Sequence, residues 1–366
     1  MFDEKHYVPV LKWKKGERNA LKHLHRKQDI TPLLEIQSPD KNKTIEDHLS
    51  GFQQSIEESW SKEDPIFVDV DSLYSSVEND TFIDGDVHPL KYIVSSVEMA
   101  GTHCIPVYSF YRYNTEEQYD IVLKELIDQY KRGLCFRLTP DDLSDLQTLS
   151  SDITDELEYF GLTEEYVDII LDFKDISTRS VDQVVDELIQ ILLNFPKLNS
   201  WRTITFCGTS FPVQLSKKVP TKNNGSIPRV EWLTYQRLLK LNLARIPSFG
   251  DYTITNPMTS TDFDPRIMDM APAIKYTTKS EFLIYRGSGV KASGEGFGQT
   301  KALAQNVISN PAYMGAAFSY GDNFIYERAT NPESSRGNPT SWVTVNVNHH
   351  LEYVASQLSS SVVVSI

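Results

Sequence analysis

Acidic residues stand near the ends of two apolar, β-branched segments early in the chain. Asp69 and Asp71 lie in PIFVDVDSL, and Glu35 lies near the end of ITPLLEIQ. Alternate residues of a strand share a face, so Asp69 and Asp71 point the same way and a neighbouring strand can bring Glu35 beside them. Three such carboxylates are a ligand set for Mg²⁺ or Mn²⁺ with open positions for phosphate oxygens. In the structural alternative, Asp71 caps the next segment and Asp69 pairs with a lysine or arginine.

Two further groups of residues are candidates for catalysis. Asp172 and Lys174 share a face at the end of VDIILDFKDI, where a desolvated lysine beside a carboxylate could form a Schiff base with a carbonyl substrate. An internal ion pair is the structural alternative. His349 and His350 are adjacent at a predicted helix start, so they face about 100° apart and cannot both point inward. His349 is the candidate general base or anion ligand, and capping or surface roles are its alternative.

The motif serine, aromatic, glycine, aspartate occurs twice, as SFGDYTI and later as SYGDNFI. Glycine permits an unusual backbone angle or a close approach, and aspartate can accept backbone N–H groups in a turn, so each copy predicts a strand near an exposed end. We predict that both copies reach one site, together with the arginine that opens the glycine-rich segment RGSGVKASGEGFGQ. The predicted ligand-binding or partner-binding residues are Lys12, Lys14, Asp251, Tyr252, Arg286 and Asp322.

Short apolar segments rich in β-branched residues alternate with longer amphipathic ones, which is typical of parallel βα units. No strand is followed by GxGxxG or GxxxxGK[ST], so nothing favours a doubly wound nucleotide-binding sheet. We therefore predict an α/β fold, a (β/α)8 TIM-barrel-like domain with a C-terminal elaboration after strand eight. The predicted strands cover residues 6–13, 30–37, 65–73, 103–111, 133–138, 167–176, 201–211 and 244–254.

The pattern changes after Pro257. AIKYTTKSEFLIYRG predicts two strands, TKALAQNVISNPAYMGAAF a broken helix, SSRGNPTSWVTVN a polar loop, and NHHLEYVASQLSS a final helix with an asparagine cap. We therefore predict a barrel core over 1–257, an elaboration over the barrel mouth at 258–342, and a final helix and tail at 343–366 that closes the barrel. A separate small domain is the alternative for the middle range.

The chain of 366 residues has 36 Lys and Arg and 50 Asp and Glu, a formal net charge of −14. A field of this sign repels phosphate backbones, so nucleic acid is disfavoured as a partner unless basic residues cluster. One cluster, LKWKKGERNALKHLHRK, is interpreted as a solvated helix face. Three cysteines in apolar stretches and the absence of a signal or membrane segment predict a cytoplasmic protein without a membrane partner.

Several motifs, taken in order, resemble one family. The chain is similar to the beta-protein family of phage and bacterial genomes in an ordered series of motifs. These are YVPVLKWKKGERNAL followed by ITPLLEI, then SFGDY with TNP, IKYT with YRG, and finally GN with W before NHHL. The resemblance spans nearly the whole chain. The resemblance implies that the gene lies among mobile elements and takes part in phage–host conflict. It does not identify any catalytic residue in this chain.

Two functional hypotheses follow. In the first, the protein belongs to a phage-encoded or anti-phage defence system and binds a co-encoded protein or a nucleic acid at the C-terminal face of the barrel. In the second, it is a metal-dependent barrel enzyme acting on a phosphate-bearing substrate, such as a phosphodiesterase or nuclease. Glu35, Asp69 and Asp71 would then bind Mg²⁺ or Mn²⁺, and Arg286 or Lys12 would neutralise the phosphate.

Overall fold

The computed structural model describes residues 2–25, 27–40, 42–60, 63–77, 83, 85–259 and 269–360. Eight parallel strands close into a barrel, and each of the eight predicted strand ranges contains one of them. The predicted (β/α)8 fold is therefore confirmed. The barrel strands are β1 (Tyr7–Lys12), β2 (Leu33–Glu35), β3 (Pro65–Asp69), β4 (His103–Tyr108), β5 (Leu134–Leu138), β6 (Val167–Asp175), β7 (Thr203–Thr209) and β9 (Ser248–Asp251).

The strands follow one another around the barrel in chain order, and β9 closes it by pairing with both β7 and β1. Every residue of β5 and of β7 is buried, because a parallel barrel strand packs on both faces. Val10, Phe67 and Ile170 belong to an apolar cluster that fills the barrel. A second cluster joins the strands to the surrounding helices. The barrel is a packed core, so a functional site is expected at its C-terminal end, where the strands run into loops.

Helices connect the strands and cover the barrel. The helix over Val181–Asn194 begins with a capping box, in which Ser180 and Gln183 each bond to the other's backbone N–H. The helices are α1 (Lys15–Lys22), α2 (Ile45–Leu49), α3 (Phe52–Ser59), α4 (Pro89–Met99), α5 (Glu117–Tyr130), α6 (Pro140–Leu143), α7 (Leu146–Phe160), α8 (Val181–Asn194), α9 (Leu215–Lys218), α10 (Val230–Leu238), α11 (Val290–Ser293), α12 (Thr300–Ile308), α13 (Tyr320–Thr330) and α14 (Pro339–Ser359). Across the described ranges, no helix has the length and apolar character needed to cross a membrane.

A small antiparallel sheet accompanies the barrel. It consists of β10 (Ala273–Thr277), β11 (Glu281–Arg286) and β8 (Asn224–Pro228), in the order β10-β11-β8. The two strands predicted in AIKYTTKSEFLIYRG are β10 and β11, whereas β8 lies inside the range assigned to the barrel core. Residues 260–268 of the predicted elaboration and 361–366 of the predicted tail lie outside the described residues. The division at 257 and 342 stays a prediction.

The last helix begins earlier than the sequence patterns predict. Asn338 is its N-cap, accepting a hydrogen bond from the backbone N–H of Ser341, and Pro339 is its first residue. The prediction of a polar loop over SSRGNPTSWVTVN is therefore wrong from Pro339 onward, and NHHL lies in the middle of α14. This helix packs against α1, α13 and β10, so much of its surface is buried.

Candidate functional site

A buried arginine occupies the centre of the barrel mouth. Arg137, in β5, donates from Nη1 to Asp69 Oδ2 (2.6 Å), from Nη2 to Glu35 Oε1 (2.9 Å) and from Nε to Asp172 Oδ2 (2.9 Å). Nη2 also donates to the hydroxyl of Tyr252 (2.6 Å), which in turn donates to Asp172 Oδ2 (2.6 Å). Burial opposes the charge of Arg137, but Tyr252 and the three carboxylates raise its pKa overall. The guanidinium thus supplies one positive charge that the three surrounding carboxylates share.

The candidate metal ligands are used by the protein itself. Glu35 and Asp69 bind Arg137, which corresponds to the ion-pair alternative for Asp69. Asp71 Oδ1 accepts the backbone N–H of Tyr113 (2.6 Å), and burial together with the charge of Asp69 raises the pKa of Asp71 to about 6. Within the described ranges, no three His, Cys, Asp or Glu side chains are arranged to hold a metal ion. The residues do not fit the predicted Mg²⁺ or Mn²⁺ site.

The candidate pair in β6 also faces the mouth. Asp172 is fully buried and accepts the backbone N–H of Lys174 on Oδ1 (2.9 Å). Lys174 has a left-handed backbone (φ 50°) where the pairing of β6 with β7 shifts register. Its side chain lines the mouth cavity of about 210 Å³, as does that of Lys12. Burial lowers the pKa of Lys12, and its Nζ donates to the carbonyl oxygen of Thr259 (3.4 Å).

His349 and His350 are both fully buried in α14, so the expectation that only one of them can point inward is wrong. The helix lies between the barrel and α13, and each imidazole faces one of these neighbours. His350 Nε2 donates to Asp251 Oδ2 (3.0 Å) in β9, and His349 Nδ1 donates to Asp322 Oδ2 (2.8 Å) in α13. We call these four residues the histidine junction.

The junction explains the repeated motif. Each aspartate belongs to one SxGD copy, and each glycine permits a close contact: a Cβ on Gly250 would lie 2.8 Å from the carbonyl oxygen of Val8, and one on Gly321 would lie 2.3 Å from that of Val345. Ser319 caps α13 by accepting the backbone N–H of Asp322. The two copies therefore hold β9 and α13 against neighbouring backbone.

Further hydrogen bonds complete the junction. Asp322 also accepts from Tyr276 (2.7 Å) and Ser319 (2.5 Å), while Asp251 accepts from Tyr7 (2.6 Å). Burial opposes ionisation of both aspartates, but the paired histidines and these hydroxyls hold the pKa of each below its usual value. The other nitrogen of His349 faces the carbonyl oxygen of Thr277 (2.9 Å), so both of its nitrogens face acceptors.

Arg286 lies apart from the junction. Its Nη1 donates to the carbonyl oxygen of Val219 (2.8 Å), which directly follows α9. Asp251 and Asp322 are buried, at 1% and 0% exposed, and Tyr252 lines the mouth. The structure thus brings the two aspartates to adjacent histidines. It places the other predicted binding residues in the mouth, in a cavity beside the mouth, and at the end of β11.

A larger cavity of about 750 Å³ lies beside the mouth. Its walls come from the start of α1, the loop after β2, α2, α3, the segment after β3 and the loop after β4. Burial lowers the pKa of His48 in its wall, which favours the neutral imidazole. We call this cavity the basic cleft. The charged side chains that line it are Lys14, Lys15, Arg18, Lys43 and Asp40.

Sequence patterns located only part of this cleft. Lys14 was a predicted binding residue, and Lys15 and Arg18 belong to the cluster interpreted as a solvated helix face. That interpretation is incomplete, because these side chains line a cavity. Lys43 comes from a separate segment, and no spacing rule connects it to the others.

Comparison with known proteins identifies the family of the chain. No curated protein matches the sequence. Among solved structures, triosephosphate isomerase from Bartonella henselae is similar, with a TM-score of 0.30 and 11% identity over 68% of this chain and 92% of that chain. The sequence profile named Beta protein matches residues 7–356, which is nearly the whole chain. This protein belongs to the beta-protein family.

Proposed function

We propose that this protein is a binding protein of a phage-encoded or anti-phage system, and that it holds an anionic partner against the C-terminal face of its barrel in the cytoplasm. The observation that carries the proposal is the charge of the basic cleft: among the residues that the structure describes, four cations and one carboxylate line it, in a chain whose net charge is −14. Such a local field attracts an acidic partner even when the whole molecule is acidic. Three free, buried cysteines are consistent with a reducing compartment.

Two of these cations stand at the N-terminal end of α1, where a positive charge is unfavourable for the helix. Lys14 is the N-cap of α1 without a capping side-chain hydrogen bond, and Lys15 is the first residue of the helix. A cation at a helix N-terminus opposes the helix dipole, so both side chains are unfavourable for α1 itself. Both are exposed at the rim of the cleft, which favours a role in binding.

The alternative is a metal-dependent enzyme acting on a phosphate-bearing substrate. It requires carboxylates that are available to Mg²⁺ or Mn²⁺, whereas Glu35, Asp69 and Asp172 surround Arg137. It predicts that either ion raises the melting temperature and that Asp69→Asn removes the rise. We expect no metal-dependent rise and no cleavage of labelled oligonucleotides in the presence of either ion.

Retention on immobilised heparin, a sulfated polyanion, tests the proposed face. We expect the wild-type protein to be retained at low salt, and the double variant Lys14→Glu, Lys15→Glu to pass through. The matched control is Lys131→Glu, Lys240→Glu, which changes the net charge equally at exposed positions just after α5 and α10, at the opposite end of the barrel. Failure of the wild-type protein to bind, or equal loss in both double variants, would overturn the proposal.

Co-expression tests the protein class of partner. A co-encoded protein that binds the cleft should co-elute with the wild-type chain in size-exclusion chromatography and separate from the Lys14→Glu, Lys15→Glu variant. Separate species with the wild-type chain would remove the support for a protein partner, while leaving the heparin result to decide the anionic face.

A further inference from the structure

The basic cleft and the barrel mouth adjoin each other. Both are lined by Gln37, Ser72 and Tyr113, and their volumes are about 750 and 210 Å³. The cleft alone falls within the range of about 300–1,000 Å³ that accommodates a small organic ligand. The two cavities together are therefore large enough to receive several connected groups of one extended ligand.

Two exposed tyrosines stand on the loop after β4: Tyr113 lines both cavities, and Tyr111 lines the mouth. Tyr111 is 74% exposed and Tyr113 is 61% exposed. The loop is anchored on both sides, because Asp71 accepts the backbone N–H of Tyr113 (2.6 Å) and Arg112 donates to both carboxylate oxygens of Asp120 (2.8 and 2.9 Å). An anchored loop presents its aromatic rings with little further ordering on binding.

The cleft also contains hydrogen-bond donors without acceptors. The indole Nε1 of Trp13 and the amide Nε2 of Gln37 are buried and have no hydrogen-bond partner within the part of the chain that the structure describes. Both residues line the cleft. Buried donors are normally paired, so these two are an unusual feature of the cleft wall.

We propose that the anionic partner is a single-stranded nucleic acid, whose phosphates lie in the basic cleft and whose bases stack on Tyr111 and Tyr113. This inference rests on the proposed function and adds the chemical class of the partner. Cations that follow a backbone beside exposed aromatic rings are the combination by which proteins bind single strands without reading sequence. A duplex keeps its bases paired and away from the rings, and an acidic protein would use the cations without requiring the tyrosines.

Fluorescence anisotropy with labelled 12-nucleotide single-stranded DNA and RNA tests the inference, with the corresponding duplex and poly-glutamate as competing probes. We expect the single strands to bind at least tenfold more tightly than the duplex. Replacing both lysines, Lys14→Ala and Lys15→Ala, should reduce the slope of log affinity against log salt by about 1.4, because each phosphate contact to a single strand contributes about 0.7.

The double variant Tyr111→Ala, Tyr113→Ala separates stacking from charge. It should weaken single-strand binding by about tenfold or more, yet elute from heparin like the wild-type protein. The control Tyr159→Ala, Tyr166→Ala removes two tyrosines that are 40% and 52% exposed at the end of α7 and just before β6, and it should bind normally.

The outcomes distinguish the two proposals. Heparin retention that depends on Lys14 and Lys15, with no preference for single strands or with poly-glutamate bound more tightly, would overturn this inference and leave the proposed function standing. Equal losses in the two tyrosine variants would also overturn it. Absence of binding to heparin and to every probe would overturn both proposals.

Discussion

The barrel mouth and the basic cleft share part of their walls but use their charges differently. Among the described residues, three cationic side chains and three carboxylates line the mouth. Four cations and one carboxylate line the cleft, and Asp40 is paired with Lys43 (3.1 Å). The mouth thus supplies its own counter-charges, whereas the described lining of the cleft has an excess of positive charge.

Burial explains the difference. Arg137, Asp69 and Asp172 are 7%, 4% and 0% exposed, and charges removed from water are tolerated when they are paired and hydrogen-bonded. The histidine junction obeys the same rule. Lys14 and Lys15 are exposed, so water solvates them and the fold requires no partner for them. Convergence of charged residues at a barrel end is therefore insufficient to identify a ligand site, and the available charge lies beside the mouth.

The comparison predicts that Arg137→Ala is the most damaging single change in either region. Removing the guanidinium leaves Glu35, Asp69 and Asp172 buried close together without a counter-charge. We expect the free energy of unfolding to fall by about 3–5 kcal/mol. Denaturant unfolding followed by circular dichroism measures the change.

If the alanine variant does not fold, the unfolding free energy of Arg137→Lys can be measured in its place. An ammonium retains the charge but lacks the planar donors that reach several acceptors at once, so we expect an intermediate loss. Unfolding of Arg137→Ala within about 1 kcal/mol of the wild-type protein would show that the mouth carboxylates are available for another cation.

The histidine junction should be the next most sensitive region. Asp322→Asn keeps the shape of the side chain but removes the charge that faces His349 and the hydroxyls of Tyr276 and Ser319. We expect a loss of about 1–3 kcal/mol, because buried donors lose their acceptor. Thermal unfolding provides the test, with Asp128→Asn, at a side chain that is 61% exposed, as the control. Equal melting temperatures of the two variants would argue against a stabilising junction.

Much of the fold could be predicted because barrel strands are buried on both faces and form continuous apolar runs, as VDIILDFKDI does. Strand β8 was missed because NGSIP contains glycine and proline, which are depleted in strands. The start of α14 was misplaced because its first turns are rich in threonine, serine and valine, which are weak helix formers. At both places the contacts with the rest of the protein outweigh local preference.

The site was harder to predict because its contacts join distant segments. The sequence indicates a basic partner for Asp69 but does not identify Arg137, which lies 68 positions away. Likewise, His349 and His350 meet Asp322 and Asp251 only because α14 lies between α13 and the barrel. The basic cluster around Lys14 was visible, but its cavity depends on loops from other βα units.

Asp71 tests whether the balance of charges in the mouth, and with it the stability of the fold, depends on pH. Its pKa is raised to about 6 by burial and by Asp69, so the folded state binds more protons than the unfolded state between about pH 4 and pH 6. The stability from the protonated form is present at low pH and is lost as the pH rises through 6. Asp71→Asn should therefore be more stable than the wild-type protein at pH 7.5, by about 1 kcal/mol after solvent screening.

The measurement is the difference in unfolding free energy between Asp71→Asn and the wild-type protein from pH 5 to pH 7.5. We expect the advantage of the variant to grow with pH and to level off above about pH 7. A difference that does not change with pH would show that Asp71 does not titrate in this range.

Replacing Lys14 and Lys15 should have the smallest effect on stability of all these changes. The same replacement should have the largest effect on binding. Lys14→Ala, Lys15→Ala removes two exposed cations from the N-terminal end of α1, where they oppose the helix dipole. The charge of Lys14 also favours the buried carboxylate of Glu17, and this opposes the dipole effect. We therefore expect the free energy of unfolding to change by less than about 0.5 kcal/mol. Heparin retention should be lost in the same variant. A destabilisation greater than about 1 kcal/mol would show that the fold needs these lysines, and the cleft would then resemble the mouth, with its charges serving the structure itself.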